Sequence, residues 1–202
     1  MTLSVAKSIE RFFFEHEGDG EFACEEAFSI SVIKPPQNAN QRIVLGSKNS
    51  ALWAISNEAE ALDEFGAIAC CGLPLGDQLA SIQAVVTDRE VLFLGDLDPV
   101  DLLAFAWFRE NLKPQRLTYA GISDRFLDTL QLSCMQVPSI RLSPSEEAAV
   151  AQMDQFLPDC RSLVGPRCKE LLTGGRKIEI EAIISYTDRA LPVYREFDRQ
   201  AI

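Results

Sequence analysis

Three aspartates within six residues, Asp96, Asp98 and Asp101, are the chain's clearest concentration of one kind of chemistry. They follow Val91-Leu92-Phe93-Leu94 and Gly95, in the stretch VLFLGDLDPVDLLAFAWFRE that runs from Val91 to Glu110. Clustered carboxylates are hard oxygen donors, the ligand type that Mg2+ takes. The competing reading gives them no chemistry: Asp98 or Asp96 caps the helix that follows, and the others are solvated. Short acidic motifs recur by chance, so both readings stand at this point.

The neighbouring residues dictate where these acids sit. Four consecutive apolar residues have the length and composition of a buried strand, which Gly95 ends. Pro99 suits the first turn of a helix, because its missing N–H is one that such a turn leaves unpaired. From Leu102 onward the apolar spacing is helical. The stretch therefore reads as strand, acidic turn, helix. In open α/β sheets ligands bind outside the carboxyl ends of the strands, where this turn would lie.

The same unit recurs along the chain. Ile43-Val44-Leu45 is a short buried-type strand closed by Gly46-Ser47. Asn49 or Ser50 is expected to cap a helix over 51–64, with Leu52, Ile55, Ala59 and Leu62 inward. Ala67 to Cys71 reads as a further strand, closed by Gly72-Leu73-Pro74. Asp77 is expected to cap a helix over 78–87, with Leu79, Ile82, Val85 and Val86 inward. Leu117 to Ala120 stops at Gly121, and Ser123 or Asp124 caps a helix over 125–132. Four β-then-α units with short connections predict an α/β domain: a mainly parallel sheet of about four strands flanked by helices.

Two zones flank this series. Residues 1–40 form an N-terminal extension, with a helix over 3–14 carrying Val5, Ile9, Phe12 and Phe13 on one face. Gly18-Asp19-Gly20 breaks it. Weak alternation at Phe28, Ile30 and Val32 suggests an edge strand or a docking segment, before the turn at Pro35-Pro36. The α/β domain occupies 41–202, and its helical C-terminal part starts at about 143. Ser143 is a strong cap followed by Pro144, Glu146 and Glu147 in the first turn. Further helices are expected over 159–172, interrupted at Gly165-Pro166, and over 178–190.

Composition narrows the function. With 47% apolar and 24% charged residues the chain resembles an ordinary soluble globular protein. It has no run near the roughly 20 apolar residues of a membrane span. Its first residues lack a signal peptide's pattern, so the expectation is a cytoplasmic protein that avoids membranes. Six cysteines without a C-x-x-C pair and a single histidine, His16 on the surface among acids, give little support to zinc or to a Ser/His or Cys/His pair. No P-loop pattern occurs. With 19 basic against 30 acidic residues the net charge is −11, which argues against a chain that grips nucleic acid unaided. Arg161, Arg167, Lys169, Arg176 and Lys177 form a local basic cluster that a solvated helix surface explains equally well. The residues alone name no catalytic group.

The β-then-α rhythm together with Gly95-Asp96-Leu97-Asp98-Pro99 resembles the Toprim domain of the topoisomerase VI A subunit type, which includes related defence-system nuclease subunits. In that group a strand ends in a G-D-x-D-P-x-G type sequence, and the next strand commonly ends in a helix-opening glycine, as Leu117-Thr118-Tyr119-Ala120-Gly121 does. A late E-x-E segment also occurs there, and Lys177-Ile178-Glu179-Ile180-Glu181 resembles it. The likeness covers about residues 41–185. It implies a Mg2+ site, with Mn2+ as substitute, built from Asp96, Asp98, Glu179 and Glu181, to which Asp101 adds a carboxylate of its own. It also implies DNA cleavage or topoisomerase-type phosphoryl transfer, which this chain would perform with a partner protein or by metal-activated water. The chain departs from the family pattern at two places. The first strand ends Leu45-Gly46-Ser47-Lys48, without the usual glutamate, and Asp101 stands where a glycine is usual. Tyr119, Tyr186 and Tyr194 match no nucleophile motif.

Two other readings remain. One is a Toprim-like scaffold without chemistry that serves protein interaction, including self-association through the phenylalanine-bearing extension. The other is a phosphatase of the haloacid-dehalogenase type, because Asp96-Leu97-Asp98-Pro99-Val100 fits its D-x-D-x-[T/V] opening. There the first aspartate is the nucleophile and the second the proton donor. That family carries the motif on its first strand and adds a later G-D-x-x-x-D, which is absent here.

Overall fold

The computed structural model describes residues 4–16, 29–36, 38, 41–56 and 65–187. The elements are α1 (Val5–His16), β1 (Ser29–Lys34), β2 (Arg42–Gly46), α2 (Asn49–Ser56), β3 (Phe65–Cys71) and α3 (Asp77–Val86). Then come β4 (Glu90–Leu94), α4 (Pro99–Asn111), β5 (Arg116–Tyr119), α5 (Asp124–Thr129), β6 (Ile140–Arg141) and α6 (Pro144–Phe156). The C-terminal part holds α7 (Cys160–Val164), α8 (Pro166–Thr173), β7 (Arg176–Lys177) and α9 (Ile180–Thr187).

Five strands form one sheet in the order β1-β3-β2-β4-β5. The last four run parallel, and β1 adds an antiparallel edge against β3. The fold is thus the expected α/β architecture, and the weakly alternating segment is an edge strand, with Val32 of its outer face exposed. β3 flanks β2 on one side and β4 on the other, so the chain leaves β2, crosses back over it and continues outward through β5. That reversal makes the carboxyl ends of β2 and β4 the topological switch point, where open α/β sheets bind ligands. Gly46 lies level with Leu94 in the register, which sets Ser47-Lys48 beside Gly95-Asp96.

The core explains the uniform apolarity of the central elements. Val91 to Leu94 of β4 are buried, as a strand covered on both faces must be. In α4 every residue from Pro99 to Phe108 except Val100 is buried, and a helix apolar nearly all round belongs inside. α1 and α6 pack on it, α1 through Ile9, Phe12 and Phe13. The rings of Phe105 and Phe108 each lie 5.7 Å from Phe93, and Tyr119 lies 5.3 Å from Phe105. This aromatic block fixes α4 over β4 and β5, and with it the turn between Leu94 and Pro99.

Several local expectations change. Val5 is 38% exposed and Ala6 takes its place on the inner face of α1. His16, expected on the surface, is half-buried and stacked on Phe12 at 4.1 Å. Asp77 is the first residue of α3 and makes no cap bond, because Gly76 at φ 54° turns the chain into the helix. α2 begins at Asn49, so Asn49 and Ser50 lie within it. Ala59 and Leu62, the side chain of Ile55, the Gly18-Asp19-Gly20 break and the helix end near 190 lie outside the described residues. Ser123 and Ser143 cap as expected; Ser143 and Glu146 form the reciprocal capping box. The break at Gly165 is also present, between α7 and α8. No described helix is long and apolar enough to cross a membrane.

Candidate metal centre

The acidic turn is closed from three directions. β4 delivers Gly95-Asp96 to its carboxyl end, and α4 starts three residues later. Asp98 is the N-cap of α4, its Oδ1 accepting the Asp101 N–H at 2.7 Å. The cap reading is therefore right for Asp98. The solvated reading is not, since Asp96, Asp98 and Asp101 are all buried, at 1%, 7% and 4% exposure. Asp101 turns back from the first helical turn. Its Oδ2 accepts the Asp96 N–H and the Ser47 hydroxyl, each at 2.7 Å. Behind the turn, the Tyr119 hydroxyl donates to the Asp96 carbonyl at 3.1 Å. A Cβ on Gly121 would lie 2.3 Å from the Gly95 carbonyl, so only glycine lets the β5 end run this close.

The third wall comes from the late E-x-E segment. Leu97 and Ile178 exchange both backbone hydrogen bonds, at 2.9 and 3.2 Å. This pairing holds residue 178 extended, so α9 starts at Ile180 rather than at 178. The Ile180 N–H then donates to Asp96 Oδ1 at 2.8 Å, placing the carboxylate on a first-turn amide of α9. Glu179 and Glu181 come with it. They meet the turn through Lys48, whose ammonium lies 2.7 Å from Asp96 Oδ2, 3.3 Å from Glu181 and 3.6 Å from Glu179. The Ser50 hydroxyl donates to Glu181 as well. Lys177, next in the same segment, is buried and donates to Glu146 at 2.7 Å.

One oxygen from each of the three aspartates falls within 4.8 Å of the others, with no other such group of metal-ligating side chains among the described residues. Glu179 and Glu181 are outside this group and join it only through Lys48. Like charges gathered in a dry site resist ionisation. Burial, with the Asp101 charge added and Lys48 opposing, pushes the Asp96 carboxyl up to about 7. Burial and the neighbouring Asp101 and Asp96 charges raise Asp98 well above the ordinary carboxylate range. Burial raises Asp101 too, against the hydrogen bonds from Asp96 and Ser47. Burial pulls Lys48 downward, but the charges of Asp96, Glu181 and Glu179 outweigh it and hold the ammonium above its usual value.

The donor set fits a hard cation. All its atoms are carboxylate oxygens. Asp96 Oδ2 is a buried oxygen whose one close partner is the Lys48 ammonium, 2.7 Å away. A pocket of about 260 Å³ opens beside the turn, with Ser47, Lys48, Asp98, Asp101, Lys177 and Glu179 on its polar side and phenylalanines such as Phe13 and Phe108 on the other.

Lys48, Ser47 and Lys177 are the site residues that the sequence reading missed. The signal for the first two was the end of the first parallel strand, where the absence of an acid hid the presence of a base. In the local basic cluster, in contrast, three residues pair with acids: Arg167 with Asp124 and Asp128, Lys169 with Asp154, and Lys177 with Glu146. No protein-family model matches the chain, and no curated protein does. What stands is an α/β domain with a buried aspartate triad able to hold a metal ion.

Proposed function

We propose that the chain is a Toprim-like domain whose Asp96–Asp101 turn binds Mg2+ and serves phosphoryl transfer on nucleic acid. The convergence of three buried carboxylates at the switch point of the sheet carries this reading. Asp98 and Asp101 line the pocket and would hold the ion, with Asp96 beside them. Bound there, Mg2+ would neutralise phosphate charge and stabilise an attacking or leaving oxygen. The chain's own groups fix the geometry: Ser47 and the Asp96 amide orient Asp101, and Ile180 orients Asp96. With a net charge of −11 the grip on a nucleic-acid backbone falls to a partner protein.

A melting experiment tests the metal reading. Titration with Mg2+ or Mn2+, with and without inorganic phosphate, should raise the melting temperature, and Asp98→Asn should abolish the rise. No response of the wild type under any of these conditions overturns it. For the chemistry, metal-dependent cleavage of supercoiled or single-stranded DNA that Asp96→Ala removes is the expected result.

The position of Lys48 favours a second reading, a scaffold without chemistry. The Lys48 ammonium already neutralises part of the acidic site, where the usual first-strand residue would be a further acid. Equal stability with and without divalent ions, together with no cleavage, would select it.

A further inference from the structure

We propose that Lys48 makes metal binding at the aspartate triad depend on an anion: the divalent ion and a phosphate group enter together, and Lys48 passes from Asp96 to the phosphate. The inference rests on the metal reading above and concerns what regulates that site.

The argument starts from the position of the ammonium. It lies 2.7 Å from Asp96 Oδ2, an oxygen that has no other partner and that a metal ion would therefore take in its place. A divalent ion taking that oxygen would stand beside Lys48 at little more than contact distance. Two cations cannot share one carboxylate oxygen in a dry site without strong repulsion. Lys48 must then move or be neutralised. Glu179 and Glu181 offer it longer contacts, at 3.6 and 3.3 Å, with Ser50 donating to the other oxygen of Glu181. The side chain is one-third exposed and flexible enough to turn.

The pocket gives the displaced ammonium a destination. Lys48 lines it together with Ser47 and with Asp98 and Asp101. A phosphate placed there meets the ion on its acidic side and the Lys48 ammonium on its other. The anion thus removes the repulsion that blocks the ion, and the ion removes the aspartate repulsion that blocks the anion. By linkage each raises the other's affinity by the same factor.

Calorimetry and melting with MgCl2 and inorganic phosphate test this. In the wild type, Mg2+ alone should bind weakly, and saturating phosphate should tighten it by roughly tenfold. Lys48→Met should bind Mg2+ alone at least as tightly as the wild type does with phosphate, and phosphate should then add nothing. Lys48→Arg, which keeps the charge, should retain the phosphate dependence and serves as the folded control should Lys48→Met be unstable. Equal Mg2+ affinity with and without phosphate in the wild type and in Lys48→Arg overturns the role of Lys48 while leaving the metal reading intact. Failure of wild type and all variants to bind Mg2+ under any condition overturns both.

Discussion

Two aspartate clusters on this molecule behave in opposite ways. Asp124 sits at the start of α5 and reaches across to α8, where its two oxygens accept the Arg167 and Cys168 amides, each at 2.9 Å. α8 has no capping side chain of its own, and Gly165 leaves room for this one. Arg167 then bridges Asp124 and Asp128. Although desolvation opposes it, the hydrogen bonds from Arg167 and Cys168 hold the Asp124 carboxyl below the ordinary range. At Asp96, Asp98 and Asp101, burial without enough partners drives the shift upward. One residue type thus marks a finished structural joint in one place and an unfinished electrostatic site in the other. Only the second has a reason to recruit a cation.

The sharpest test of this contrast lies at Lys177, which is buried beside the triad yet belongs to the finished class through Glu146. Lys177→Met should destabilise the protein by about 3–5 kcal/mol, as expected when one partner of a buried pair is removed. A cost near zero in urea unfolding would show that Glu146, with its capping bond to Ser143, is satisfied without Lys177. Asp124→Ala comes next, at about 1–2 kcal/mol, the range for loss of a helix cap. Its effect should leave the Mg2+ response unchanged, since Asp124 is outside the triad.

Much of the fold was legible because it follows from local rules. Apolar runs closed by glycine gave the strands, and Ser123, Ser143 and Pro99 announced their helices. Asp98 was read both as cap and as ligand, and the structure shows why a choice was unnecessary: one oxygen caps α4 while the carboxylate still lines the pocket. Lys48 was not legible as a site residue. Its role depends on β2 and β4 being neighbours, on the Leu97–Ile178 pairing, and on α9 carrying Glu181 to Ser50. Each is a long-range pairing that no local pattern encodes. The same holds for Asp124, whose partners lie more than forty residues away.

A pH profile separates the clusters further. A carboxyl with a lowered folded pKa stabilises the protein above its unfolded pKa and loses that contribution as pH falls through the folded one. Asp124 should therefore contribute only to acid sensitivity below about pH 4. Carboxyls raised in the folded state act in reverse. Their protonated forms favour the fold, so stability should decline as pH rises from about 4 toward 7, the value to which Asp96 is pushed. Excess Mg2+ with phosphate should flatten this decline, because the ligand binds the ionised site. Unfolding across pH 3–8, with Asp124→Asn and Asp96→Asn as the two arms, measures both slopes; a decline that survives in Asp96→Asn would place its origin elsewhere.

The smallest effect has the most diagnostic sign. Asp98→Asn preserves the cap, since asparagine serves at that position as well as aspartate, and it removes one negative charge from a buried like-charged group. In divalent-free buffer at pH 8 the substitution should stabilise the protein, by about 1 kcal/mol at most, given that good caps are worth about that much and the cap is retained. As pH falls the gain should shrink, because burial and the Asp101 and Asp96 charges favour the protonated Asp98 carboxyl in the fold. Substitution of a buried aspartate ordinarily destabilises, as the matching Asp124→Asn change should. Opposite signs for the same substitution at the two positions would mark the triad as built to hold something other than its own side chains. Destabilisation by both would mean that Lys177 and the Asp101 amide already satisfy Asp98, and the case for a cation would then rest on Asp96 and Asp101 alone.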